Sequence, residues 1–472
     1  LFWTLLDNGR VHSCFFKFMA TLLVTHIHTL ATMDDEQREI RHGALFIRDN
    51  VIEQVGTVDE LPDSADEILD LGDRHVVLPG LVNTHHHFFQ TLTRAVPAAQ
   101  NQALFGWLNT LYPIWSHLTA EMLAIAAQMA AAELLLSGCT TASDHHYIFP
   151  NDCTLDAEIQ AVQTMGLRFH ASRGSITVGQ SQGGLPPDRV IESEAFVLKD
   201  SQRLIETYHD PEPYAMVRVV LAPTSPFSVT QDLMRESAAL ARSYSGVQLH
   251  THLAENDSDI AYSLEKFGLS PEDYAESVGW LGEDVWHAHC VKLSDRAIAQ
   301  FARTGTGVAH CPCSNMRLAS GIAPLRKLID QQVPVGLGVD GSASNDSSHL
   351  LQEARMAMLL ARVNAEDAAA LTAREALRIA TRGGAEVLGR PDIGALAPGM
   401  AADFIAVNLD RPALAGAHHD PLAALIFCHI DHIDHSFING KPVVKDGLLL
   451  TRDLPNLVAT HNRLAHELLA SP

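Results

Sequence analysis

No apolar run in the 472 residues reaches the roughly 18 needed to cross a membrane as a helix. The stretch from Cys14 to Ile27 is apolar but carries Lys17 and His26, and no small-residue cleavage site follows it, which argues against a secretory signal. Cysteine is sparse. Seven residues, at 14, 139, 153, 290, 311, 313 and 428, form an odd set without regular spacing. That excludes a disulfide framework and points to a reducing cytoplasm. Cys311-Pro312-Cys313 has one intervening residue, too few for a C-x-x-C redox or metal motif, and reads as packing. Positive charge is also scarce: 33 Lys and Arg against 56 Asp and Glu leave −23. A chain this acidic is a poor partner for nucleic acid or an anionic membrane surface. Internal repeats and low-complexity segments are absent.

Histidine is abundant, with 26 residues, and it is the commonest metal ligand and general acid or base. Where those histidines fall depends on the organisation of the chain. Met19-Ala20-Thr21 opens a clean strand pattern, so residues 1–18 read as a non-native or disordered leader. Short strands fill 19–78, with the turn Asp49-Asn50 between Ala44–Ile47 and Val51–Gly56. From 79 to 390 apolar strands alternate with helical segments. The strand candidates are Val76–Asn83, Thr140–Ser143, Leu167–Ser172, Val217–Ala222, Val247–Leu253, Val285–His289, Gly307–His310 and Val335–Val339. Eight strands with helices between them predict an α/β (β/α)₈ barrel. Strands return over 391–450, where Asn439-Gly440 marks a hairpin. Both chain ends therefore predict one small composite β-sandwich domain beside the barrel. A helical tail covers 451–472.

The chemistry sits at strand ends. His85 and His87 follow the first barrel strand two residues apart, so they share a face while His86 points elsewhere. His252 closes the fifth strand, with Glu255 three residues on. His289 ends the sixth strand and Asp340 the eighth, which neighbours the first in a closed barrel. Active sites of such barrels lie at the C-terminal ends of the strands. Three histidines and an aspartate there suit one Zn²⁺ or Fe²⁺ with a position left open for water.

The segments Leu78–His87, His252-Leu253-Ala254-Glu255, Ala288-His289-Cys290 and Val339-Asp340-Gly341 resemble the amidohydrolase superfamily, in its mononuclear aminohydrolase and chlorohydrolase group. The likeness runs from about Met19 to Leu450. It implies that His85, His87, His252 and Asp340 bind one divalent metal, zinc before iron. It also implies that Glu255, His289 and Asp340 are catalytic, and that the enzyme is a cytoplasmic homo-oligomer. Binuclear members need a carboxylated Lys at a mid-barrel strand end. Between 92 and 265 this chain has only Lys199, in a polar helix-like stretch. In such a site the metal lowers the pKa of a water to about 7. Asp340 would take its proton, His289 would orient it, and Glu255 would protonate a ring nitrogen and then the departing amine.

The segments around Gln90, Trp115 and Asp144-His145-His146-Tyr147 are most similar to the 8-oxoguanine deaminases and related hydroxy-triazine aminohydrolases. The implied reaction converts 8-oxoguanine and water to uric acid and ammonia. Gln90, Trp115, His146 and Arg173 are the expected substrate contacts, with Tyr147 a further ring stacker. Trp107 and Trp115 also read as packing in a lid helix, and His145 and His146 as a satisfied loop pair. Plain guanine is disfavoured because Ala222–Phe227, after the fourth strand, lacks the Arg that guanine deaminases place there. Isoguanine, pterin and hydroxy-triazine aminohydrolases remain alternatives, and behind them a chlorohydrolase or a catalytically dead scaffold.

Overall fold

The computed structural model describes residues 20–471, and the expected leader at 1–18 lies outside them. Five strands come first: β1 (Thr21–Ala31), β2 (Glu39–Arg48), β3 (Val51–Thr57), β4 (Glu67–Asp70) and β5 (His75–Pro79). The barrel strands are β6 (Leu81–Asn83), β7 (Cys139–His146), β8 (Arg168–Ser175), β9 (Val217–Pro223), β10 (Gln248–Leu253), β11 (Val285–His289), β12 (Gly307–His310) and β13 (Val335–Leu337). Four more follow: β14 (Phe404–Asn408), β15 (His435–Ile438), β16 (Lys441–Lys445) and β17 (Leu448–Leu449).

Strands β6 to β13 pair in parallel around a closed ring, with β13 beside β6 and β9 beside β10. The other nine make one sheet in the order β17-β16-β15-β14-β5-β1-β2-β3, with β4 along β1. Antiparallel pairing of β5 with β14, where Leu78 faces Ile405, joins the two chain ends. The composite β unit is thus a single continuous sheet.

The apolar run Val76–Asn83 does not remain one strand. It divides at Gly80 into β5, in the end sheet, and β6, in the barrel. A Cβ at Gly80 would lie 2.0 Å from Thr140 Oγ1, so only glycine lets the chain pass between the two sheets here.

Between β6 and β7 the chain makes a roof. The helix Leu104–Trp115 is followed by the helix Ala120–Leu136, capped by the Thr119 side chain accepting from Met122 N–H. The second helix is apolar almost all round and is buried on most of its surface. The C-terminal helix Leu454–Ala470 packs on it, and His461 Nε2 bonds Thr91 Oγ1 at 3.0 Å. Among the described residues no helix is long and apolar enough to cross a membrane.

Candidate active site

The strand-end residues converge although several lie beyond the last paired residue. Strand β6 stops at Asn83 and β13 at Leu337, so His85, His87 and Asp340 stand on the first residues of the following loops. Ala254, His289, Cys290 and Asp340 all have positive φ, between 51° and 69°. Non-glycine residues held there cost about 1–3 kcal/mol each, and such strain gathers at sites where side chains must be aimed. Here the backbone turns sharply at the barrel mouth and brings Glu255, His289 and Asp340 over the same opening.

Each histidine of the expected metal set has one ring nitrogen committed elsewhere. His87 Nδ1 donates to His145 O at 2.7 Å, and His252 Nδ1 donates to Thr224 O at 2.7 Å. His85 Nδ1 lies 2.7 Å from His250 Nε2, and His250 Nδ1 in turn donates to Trp286 O at 3.0 Å. In a neutral His250 that leaves Nε2 as acceptor, so His85 Nδ1–H is the donor. All three Nε2 atoms are left as free lone pairs facing one another. Burial, the largest influence, holds His85 well below the usual imidazole range, His87 down to about 3, and His252 lower than usual. The rings are therefore neutral at pH 7, the form that ligates metal.

Those lone pairs crowd. His87 Nε2 and His252 Nε2 are 3.2 Å apart, and each of His85 Nε2 and His87 Nε2 is 3.3 Å from Asp340 Oδ1. His85 Nε2 has no hydrogen-bond partner although it is fully buried. Between neutral imidazoles such contacts are repulsive. A tetrahedral cation with ligands at about 2.0–2.1 Å sets them roughly 3.3–3.4 Å apart, so the donor set fits a divalent metal. Asp340 suits the same role. Burial opposes its charge, yet the adjoining His85, His289 and His87 hold its carboxyl well below the usual range. Its Oδ2 accepts from the Ser314 and Ser344 hydroxyls.

Glu255 is buried a short way across. Ser320 Oγ donates to its Oε1 at 3.3 Å, and its Oε2 is 3.7 Å from His289 Nε2. Burial pushes its carboxyl up to about 7 against the pull of His252. His289 donates from Nδ1 to Asn315 Oδ1 at 2.9 Å, which turns Nε2 toward Glu255 and, at 3.9 Å, Asp340 Oδ2.

These groups open into a cavity at the barrel mouth. Its wall is built by His87, Gln90, Leu104, Trp107, Leu108, Tyr112, Tyr147, Thr224, Ser225, Phe227, Leu318 and Ser344. The mostly apolar, aromatic lining with a few convergent polar groups is that of a small-molecule site. The Gln90 amide is held at the wall, donating to Tyr147 OH at 3.3 Å and accepting from Ala343 N–H at 3.4 Å. Gly341 makes room for it, since a Cβ there would lie 1.9 Å from Gln90 Oε1.

Three expected substrate contacts do not line this cavity, and each has a physical reason. Trp115 is fully buried behind the wall, edge-on to Phe89 and Trp107, with its indole N–H on Thr93 Oγ1. His146 leaves β7 on the face opposite His145 and lies against Phe149 and Glu158. Arg173 is occupied by Glu192 and Asp200 at 2.7 and 2.8 Å and sits over the Phe149 ring, so its charge is neutralised away from the cavity. Trp107, which also read as packing, is a wall residue instead.

Sequence reasoning gives no site role to His145, His250, Tyr112, Thr224, Ser225 and Phe227, taking His145 as half of a satisfied loop pair. His145 faces inward, its ring 5.0 Å from that of His252. Thr224, Ser225 and Phe227 follow the end of β9, and their position after a barrel strand was the usable signal.

Residues 76–443 match the profile of the Amidohydrolase family. This chain belongs to that family. The 8-oxoguanine deaminase of Pseudomonas aeruginosa is 47% identical over 91% of this chain and 95% of its own length. The hydroxydechloroatrazine ethylaminohydrolase of a Pseudomonas species is 38% identical, over 91% and 92%. The crystal structure of an atrazine chlorohydrolase from Arthrobacter aurescens, complexed with zinc, superposes with a TM-score of 0.90 at 35% identity, covering 94% of this chain and all of that one. This amidohydrolase is accordingly a hydrolase of C–N bonds, with relatives that are deaminases.

Proposed function

We propose that this amidohydrolase removes the exocyclic amine of a purine-like ring, and that its substrate is 8-oxoguanine, converted with one water to uric acid and one ammonia. The observation that carries the deaminase chemistry is Glu255, a buried carboxyl poised at about 7 on the cavity wall beside His289. Such a group can give and take a proton at neutral pH. The choice of 8-oxoguanine rests on the 47% identity to the Pseudomonas aeruginosa enzyme of that name.

His85, His87, His252 and Asp340 would hold one divalent ion, zinc in first place because a zinc-bound relative shares the fold. When bound, that ion supplies Lewis acidity and lowers the pKa of a water. Asp340 accepts the proton the water loses. His289 would orient that water through Nε2. Glu255 delivers its proton to the ring nitrogen next to the amine-bearing carbon, which makes that carbon electrophilic. It then takes up the proton of the added hydroxyl and passes it to the departing amine, and the proton held on Asp340 restores the Glu255 carboxyl. Gln90 presents an amide to the polar edge of the ring, while Tyr112, Tyr147, Trp107 and Phe227 keep the cavity dry around its flat faces.

Ammonia release from the zinc-loaded protein should be measured with 8-oxoguanine, guanine, isoguanine and hydroxyatrazine. Highest kcat/KM on 8-oxoguanine is expected. No turnover of 8-oxoguanine, with turnover of another ring, would overturn the substrate. Chloride release from a chloro-triazine without ammonia release from any ring would overturn the deaminase reading, since a chloride leaving group does not need the acid that Glu255 supplies.

A further inference from the structure

We infer that His250 and Trp286 are positioning residues that hold the His85 ring for metal. The inference rests on the metal reading of the site but on no particular substrate. Four contacts close a loop around His85. His85 Nδ1–H donates to His250 Nε2 at 2.7 Å, and His250 Nδ1–H donates to Trp286 O at 3.0 Å. The Trp286 indole stacks on the His250 ring, centroids 4.5 Å apart and planes 16° apart. Trp286 Nε1–H then donates to Thr84 O at 3.1 Å, the carbonyl immediately before His85.

The loop ties β10 and β11 to the residue pair that leaves β6, and it acts on His85 twice. The His250 end fixes the ring orientation and the tautomer, so that Nε2 carries the free lone pair. The Trp286 end fixes the backbone from which the ring hangs. The register of β10 with β11, in which His250 pairs with Trp286, places the stack directly. All three side chains are fully buried, so water cannot replace the His250 acceptor. His87 and His252 differ on this point. Their Nδ1 atoms donate to backbone carbonyls, which no side-chain substitution removes. His85 alone of the three depends on another side chain, and an outer hydrogen-bond partner of a metal-ligating histidine is typically worth 10–100-fold in metal affinity or activity.

The test measures zinc dissociation constants by competition with a chromophoric chelator, together with the visible spectrum of the cobalt-substituted protein. His250→Phe keeps a ring to stack on Trp286 but removes the acceptor. His250→Gln restores an acceptor near the position of Nε2. Zinc affinity is expected to fall 10–100-fold in His250→Phe, with a shifted cobalt spectrum, and to recover at least half of that loss on a logarithmic scale in His250→Gln. Trp286→Phe, which keeps the stack and removes only the donor to Thr84, should weaken zinc by less than His250→Phe.

Wild-type affinity in His250→Phe would overturn the inference. So would equal losses in the Phe and Gln variants with unchanged thermal unfolding, because the site would then respond to shape and not to the hydrogen bond. If His250→Phe does not fold, His250→Gln and Trp286→Phe decide. Near-native zinc affinity in the first and a measurable loss in the second support the loop, and any other pair of results overturns it. A wild-type chain that binds no zinc would instead overturn the underlying reading of the metal site.

Discussion

Two buried histidine–carboxylate clusters flank β7, one residue apart along the strand. On the inner side His145 leans over His85, His87 and His252, and His85 and His87 meet Asp340. On the outer side Asp144 and His146 meet Glu158 from the helix Leu155–Met165, and their donor atoms also lie within ligating reach of one another. By proximity alone both suit a metal. Their surroundings separate them. In the inner cluster every Nδ1 of the three metal-set histidines is spoken for, every Nε2 is free, and the group faces a cavity. In the outer cluster neither ring nitrogen of His146 has a partner, none of the three residues is exposed, and none lines that cavity. Its two carboxyls are both raised, chiefly by burial, so this cluster favours protonated acids over a charged ligand set. A metal site is recognised by where its donors are held and what they open onto.

The largest expected effect separates chemistry from binding within the inner region. Glu255→Gln keeps the shape of the wall and removes the proton. Turnover should fall by roughly 10²–10⁴-fold with zinc content unchanged, measured as ammonia release alongside elemental analysis. A variant as active as the parent would break the proton shuttle.

A second prediction compares the two clusters directly. Purified protein should carry one equivalent of metal per chain. His146→Phe should leave that figure unchanged, whereas His87→Ala should lower it to a small fraction at equal chelator exposure. Two equivalents in the parent, falling to one in His146→Phe, would make the outer cluster a metal site and dissolve the distinction drawn above.

What was legible in the sequence follows the same division. The barrel was readable because eight apolar segments alternate with helical ones. The inner residues were readable because His85, His87, His252, His289 and Asp340 stand at strand ends, where period-2 alternation and barrel topology both apply. Alternation also assigns His145 and His146 to opposite faces but does not say which face is inner, so it cannot separate a substrate contact at His146 from one at His145. The place of Arg173 is hidden for a related reason: its partners Glu192 and Asp200 come from a loop and a helix whose docking no local pattern encodes. Trp115 and Trp107 lie eight residues apart on the helix Leu104–Trp115, and only the packing of that helix decides that Trp107 reaches the cavity while Trp115 stays behind it. The division of Val76–Asn83 between two sheets was hidden because both halves are equally apolar, and the single signal was Gly80.

The smallest expected effect is on stability and concerns the outer cluster alone. Asp144 and Glu158 hold their protons more tightly folded than unfolded, since both folded values lie above the ordinary 3.8 and 4.5. Above those ordinary values the folded chain therefore carries more protons than the unfolded one until its own carboxyls ionise, about 7 for Asp144 and higher than usual for Glu158, and stability falls as pH rises across that window. The slope is at most about 1.4 kcal/mol per pH unit for each proton. Glu158→Gln removes one of these titrations while keeping a donor for Asp144, so its stability should decline less between pH 5 and pH 8. Relative to the parent the variant should be nearly equal at pH 5 and more stable at pH 8, read by urea denaturation at each pH. Asp259 and Glu353, buried and likewise pushed up to about 7, keep a residual slope in both proteins. An identical slope in the variant would show that Glu158 does not hold the proton, and the outer cluster would then need some other cation to balance its charge.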